Sequence, residues 1–115
     1  MQENVRMKRI DKEIEREVST IINNKVEDPN IKGSIVTIHE VKTSPDLLQC
    51  TISISAIGKE TKKLVDSLNK IKGFIKSELA KSMKLRSLPD LKFIEDTSYE
   101  YNLKMAKLFD DIKRK

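Results

Sequence analysis

The 115-residue sequence predicts an α+β fold in the order helix, strand, strand, helix, helix, strand, helix. Three observations carry that prediction. Met7, Ile10, Ile14, Val18 and Ile21 recur every three or four residues. Residues 48–56 alternate apolar and polar without a break. Two amphipathic segments then meet at Gly73, ahead of a short strand-like run at 91–95. A chain of this length has room for one core, so residues 1–115 read as a single domain, with a core over about 5–96 and a C-terminal helix over about 98–113.

Residues 5–26 form the first expected helix. Ile22 widens its apolar stripe, and Asp11, Lys12, Glu13, Glu15, Arg16 and Glu17 fill the opposite face. Asp28-Pro29 ends it, because a proline ring disfavours helical geometry in the residue before it. Gly33 then permits a tight turn. Residues 35–42 are rich in β-branched side chains and read as a strand. Thr43-Ser44-Pro45-Asp46 is turn-forming. In 48–56, Leu48, Cys50, Ile52, Ile54 and Ala56 take the buried face, and Gln49, Thr51, Ser53 and Ser55 the solvated one. The short connection makes the two strands an antiparallel hairpin.

Gly58 ends the second strand, and residues 60–71 read as a helix with Leu64, Leu68 and Ile71 on one face and Val65 beside them. Phe74, Ile75, Leu79 and Met83 resume the stripe with a shifted phase. Two helices are therefore expected to meet at a kink, Ile71-Lys72-Gly73. Ser87-Leu88-Pro89 breaks the second of them, and residues 91–95 form the third strand. Thr97 and Glu100 have capping-box spacing, and a last helix runs through Ile112 on Leu103, Ala106 or Met105, and Phe109.

Apolar and charged residues are nearly equal, at 37% and 36%, which suits a small globular protein with a heavily solvated surface. The clean periodicity excludes a disordered chain. No stretch approaches the ~20 apolar residues of a membrane span. Met1-Gln2-Glu3-Asn4 opens no apolar signal region. The lone Cys50 cannot form an internal disulfide, and with the lone His39 it cannot build a metal cage. The expectation is a cytoplasmic protein with no cofactor, no metal and no small-molecule substrate.

Catalytic motifs are missing: there is no phosphate loop of Walker spacing, no dinucleotide fingerprint and no nucleophile elbow. His39 lies mid-strand without an evident partner and reads as a satisfied or solvent-facing histidine rather than a general base. Cys50, on the apolar face, reads as a small hydrophobe. Asp28, Glu95 and Asp96 come nearest to a carboxylate cluster, and Asp28 and Asp96 read as local backbone caps.

Charge is the strongest functional signal. The net charge is +5, and residues 70–92 alone carry +5, from seven basic and two acidic side chains. A focused positive field points to a polyanion. Lys70, Lys72 and Lys76 bracket Gly73, where a helix starting at the glycine would aim free amide N–H groups and its positive dipole end outward. Phosphate is the natural ligand of that arrangement; the other reading is an ordinary glycine kink with solvated lysines. Lys81, Lys84 and Arg86 continue the basic run, and Arg6, Lys8 and Arg9 make a second group. Phe74 reads as core by its helical spacing, with base stacking as its other role; Tyr99 and Tyr101 are similarly open.

The helix–strand–strand–helix–helix–strand order resembles a type II KH domain, a single-stranded RNA-binding fold. The GXXG loop of ordinary KH domains is replaced here by the Ile71-Lys72-Gly73 kink. That replacement resembles the ribosome-binding factor A family. So do Arg6…Arg9-Ile10…Glu13-Ile14, Asp28-Pro29, Ser44-Pro45-Asp46-Leu47, Gly73-Phe74-Ile75-Lys76, Leu85-Arg86-Ser87-Leu88-Pro89-Asp90-Leu91-Lys92-Phe93 and Asp96-Thr97-Ser98, in order across about residues 5–112. The chain departs from the family at Ile71, where alanine is usual. The resemblance implies a non-catalytic, monomeric assembly factor that binds the 30S ribosomal subunit and 16S rRNA. It further implies support for late 30S maturation and 16S 5′-end processing, with importance in the cold. By the matching positions, Arg6, Arg9, Lys72, Gly73, Lys76 and Arg86 are expected to face RNA; Lys70, Lys81 and Lys84 follow from charge. A generic KH-type nucleic-acid binder is the alternative. A nuclease using Asp28, Asp96 or His39, and an adaptor using the last helix, represent other classes.

Overall fold

The structure, a computed structural model, describes residues 2–58, 60–83, 87–96 and 107. The expected C-terminal helix, its Thr97–Glu100 box, Tyr99, Tyr101 and the basic positions Lys84 and Arg86 lie outside the described residues. No helix among those described is long and apolar enough to cross a membrane.

Helix α1 (Gln2–Asn24) begins three residues before the expected start and buries Ile10, Ile14, Val18, Ile21 and Ile22. Beyond it, the Asp28 carboxylate accepts the Asn30 N–H at 2.9 Å, and the Asp28 carbonyl accepts those of Ile31 and Lys32. Asp28 is thus the local backbone cap expected of it. Gly33, at φ +94, supplies the left-handed residue that turns the chain into the sheet.

Strands β1 (Ile35–Thr43) and β2 (Gln49–Ile57) pair antiparallel, and β3 (Asp90–Glu95) joins β2 in parallel, giving the order β1-β2-β3. The register of β1 slips between Ile38, opposite Ile54, and Glu40, opposite Ser53, so His39 is the extra residue of a β-bulge. The bulge lets Val36, Ile38 and Val41 all pack on the core while His39 and Glu40 both face out. His39 is not partnerless: Nε2 lies 2.6 Å from the Ser55 hydroxyl and Nδ1 3.3 Å from the Asp96 carboxylate. It is the satisfied histidine expected, tied to β2 and to the residue that follows β3.

Helices α2 (Thr61–Lys70) and α3 (Lys72–Ser82) link β2 to β3. Leu64, Leu68, Ile75 and Leu79 join Ile14, Val18, Cys50, Ile52, Ile54 and Phe93 in one apolar cluster. Over the described residues the fold is α+β and type II KH-like, in the order expected.

Three expectations fail locally. Leu48 precedes β2 instead of lying in it and is 68% exposed. Phe74 is 44% exposed, because Ile75, Leu79 and Met83 already form the inward stripe of α3 and Phe74 points about 100° away from it. Asp11 is half-buried rather than solvated, and its carboxylate accepts both the N–H and the hydroxyl of buried Thr43.

Candidate nucleic-acid interface

The bend between α2 and α3 is a single residue. Ile71 leaves helical geometry, at φ −108 and ψ 15, and α3 restarts at Lys72. The bend falls on the first residue of the expected Ile71-Lys72-Gly73 kink, and the helix expected to begin at Gly73 begins one residue earlier: Gly73 is the second residue of α3 and keeps a negative φ. Ile71 is half-buried against the core, so its larger side chain fills space where alanine would leave a gap. Its N–H reaches back to the Leu68 carbonyl at 3.1 Å.

Restarting a helix leaves its first amides unpaired. Among the described residues nothing accepts the N–H of Lys72, Gly73 or Phe74. A Cβ placed on Gly73 would meet nothing within 4 Å, so the backbone there is open to a ligand. Lys70 and Lys72 stand exposed on either side of the bend.

The lysines divide into two sets. Lys72 and Lys76 share the flank of α3 that faces β3. Lys76 donates to Asp90 at 2.8 Å, and this bond, the Lys76 charge and the charge of Lys72 hold the Asp90 carboxyl below its ordinary range. Lys81 sits nine residues after Lys72, about 14 Å along the axis and half a turn around it. It pairs at 3.2 Å with Glu78, which also takes Lys25 of the segment after α1 at 3.0 Å; these bonds push the Glu78 carboxyl down. The structure therefore separates Lys81 from the bend. Lys70, Lys72, Arg6, Arg9 and Lys92 make no ion pair with a described residue.

Beside the bend an open cleft of about 600 Å³ is walled by Leu48, Gln49, Asn69, Lys72, Asp90, Leu91 and Lys92. Two of its residues escape a sequence reading. Lys92 is visible there as part of the charge of residues 70–92 and of the Leu85–Phe93 stretch, but not as a site residue. Asn69 holds the outer edge of β3 by a two-point clamp: its amide donates to the Phe93 carbonyl and its oxygen accepts the Phe93 N–H, both at 2.9 Å.

Arg6 belongs to a second hollow, of about 170 Å³, with Met7, Ile10, Pro45 and Leu47. Leu47 and Leu48, at the hairpin tip, are neighbours in sequence but wall different hollows. Arg6 and the cleft lysines therefore flank the same tip.

A family model described as ribosome-binding factor A matches residues 6–109. The chain is 39% identical over 112 residues to the ribosome-binding factor A of Macrococcus caseolyticus, covering 96% of each chain. It is 39% identical over 113 residues to that of Staphylococcus carnosus, again covering 96% of each. Its fold is similar to the crystal structure of ribosome-binding factor A from Thermus thermophilus, with a TM-score of 0.69 at 21% identity, over 77% of this chain and 93% of the other. A homology model of Thermus thermophilus ribosome-binding factor A, fitted into the cryo-EM map of its complex with 30S, aligns with a TM-score of 0.62 at 21% identity, over 76% of this chain and 91% of the other.

Proposed function

The chain belongs to the ribosome-binding factor A family, and we propose that it binds the 30S ribosomal subunit and 16S rRNA as a non-catalytic, monomeric assembly factor of the cytoplasm. The whole chain acts as one RNA-binding domain that supports late 30S maturation and 16S 5′-end processing, above all in the cold. The observation that carries this reading is the bend: three open amides at the start of α3, with Lys70 and Lys72 beside them and the Lys92-lined cleft alongside.

The mechanism is electrostatic docking on a rigid frame. Lys70, Lys72, Lys92 and the amides of α3 neutralise phosphates; Arg6 and Arg9 add contacts at the hairpin end. Phe74, exposed one residue past Gly73, offers a ring on which an unpaired base stacks. Lys76 sets the Asp90 side of the cleft and contributes less free charge. Lys81, set apart from the bend, contributes an outlying contact, and Lys84 and Arg86 add further RNA contacts by their charge and by the family resemblance. Binding then holds an RNA segment in one arrangement, a population shift without chemistry.

Sedimentation with purified small subunits across a salt series tests this. The unmodified chain should pellet with free small subunits and not with full ribosomes. Its affinity should fall with salt by about 0.7–0.9 log units per log unit for each phosphate contacted. Lys72→Gln should lower that slope by about one contact, and Lys81→Gln by less. A flat salt response, or equal binding to full ribosomes, refutes the reading.

A further inference from the structure

The geometry points to the turn between β1 and β2 as an apolar wedge that seats Leu48 against the face of an unstacked RNA base. The wedge rests on the reading that the chain binds ribosomal RNA. The observation behind it is a turn whose residues run against the usual rules. Leu47 lies at φ 61, in the left-handed region that glycine and asparagine occupy without strain. It is 40% exposed, and Leu48, next to it, is 68% exposed. Folding gains little from two leucines held in water at such a turn.

The turn is also locked. The Leu47 N–H donates to the Ser44 carbonyl at 2.9 Å, and the Ser44 N–H to the Gln49 carbonyl at 2.8 Å. The Ser44 hydroxyl and the Leu48 N–H both donate to Asp46 Oδ1, at 2.6 and 3.0 Å. The Gln49 N–H donates to the Ser44 hydroxyl at 3.0 Å. The leucines are thus presented by a pre-organised loop, which lowers the ordering cost of docking.

Charge selects the occupant. The ridge has a cation on each flank: Arg6 in the hollow beside Leu47, and Lys72 and Lys92 in the cleft beside Leu48. Two acids stand near the ridge: Asp46, in the turn, has an oxygen engaged by the turn's own donors, and Asp90, on the wall of the cleft, is paired with Lys76 at 2.8 Å. An apolar ridge between cations fits a polyanion with apolar faces, which is single-stranded or looped RNA. Leucine inserted at a base step is a known wedge in nucleic-acid complexes. Leu48 covers the base, Lys72 and Lys92 hold its phosphates, and Leu47 walls the hollow it shares with Met7 and Ile10 of α1.

The test places a diazirine-bearing leucine at position 48 of the full chain and irradiates it on purified small subunits. The expected product is a crosslink to 16S rRNA at a discrete nucleotide. In parallel, Leu47→Asn combined with Leu48→Gln suits the left-handed backbone and keeps every cation. It should weaken subunit binding at least tenfold with the salt slope unchanged. Should its melting point fall, Leu48→Gln alone, at the more exposed position, should still weaken binding at least threefold. A crosslink to a ribosomal protein, or variant binding within twofold of the unmodified chain, overturns the wedge and leaves RNA docking by the bend intact. Failure of the unmodified chain to bind small subunits sinks both.

Discussion

Asn69→Ala removes the clamp on β3. The Asn69 side chain makes two 2.9 Å hydrogen bonds to Phe93, whose own side chain is 1% exposed at the centre of the core. A neutral hydrogen bond contributes about 0.5–1.5 kcal/mol net. Water in the adjoining cleft can reach the freed Phe93 groups, which places the pair in the lower half of its range, at about 1–2 kcal/mol. For a domain of this size that lowers the melting temperature by about 5–10 °C. The assay is urea unfolding followed by circular dichroism. The midpoint should fall while the m-value stays constant, because the unfolded chain exposes the same surface. Asn69→Asp keeps an acceptor for the Phe93 N–H but sets a carboxylate against the Phe93 carbonyl, so it should destabilise at least as much at neutral pH. A midpoint for Asn69→Ala that matches the unmodified chain refutes the argument.

Two further changes test the frame. Asp11→Ala strips both donors of buried Thr43 of their acceptor, and it should cost about 2–3 kcal/mol; Asp11→Asn, which keeps an acceptor, should recover part of that in the same urea assay. Burial pushes the Cys50 thiol up to about 11 from an ordinary 9.0, so its stabilising share is present below pH 9 and is lost as pH rises towards 11; the thiol should react with a disulfide reagent at pH 8 only when the chain unfolds, and rapid labelling of the native protein would contradict its burial.

The element order is legible in the sequence because burial in this fold is periodic. Ile10, Ile14, Val18 and Ile21 are all buried, as their spacing requires, and so are Cys50, Ile52 and Ile54. Periodicity is weaker at the ends of elements, where a residue's turn or phase decides its environment. Spacing alone therefore puts Leu48 and Phe74 inward, and both stand exposed. His39 shows a related blind spot. One extra residue in β1 reverses the alternation, and its partners Ser55 and Asp96 come from other parts of the sheet. Asn69 finds Phe93 across 24 residues, a pairing no local pattern announces. The candidate site is legible as a sum and not as a direction. Counting charge over residues 70–92 finds the basic segment, but a helix turns 100° per residue, and nine residues carry Lys81 to the far side from Lys72.

A bend without the usual glycine loop can still serve as a rigid contact, because it lies between two side chains that grip the same strand. Asn69, just before it, clamps Phe93 of β3, and Lys76, just after it, holds Asp90 at the strand's first residue. Ile71 between them packs on the core. Three anchors within eight residues leave the backbone of Lys72 and Gly73 little freedom, although both residues are exposed. A flexible phosphate loop must be ordered when it binds, at a cost in affinity. If the chain binds RNA as proposed, a bend fixed from both sides against β3 meets it already in shape, so the open amides of α3 and the flanking lysines contribute their attraction with less lost to ordering. The acid in this arrangement has a structural role: Asp90 engages Lys76 beside the bend, whereas Lys70, Lys72 and Lys92 make no ion pair with a described residue, which leaves their charge available to the proposed polyanion.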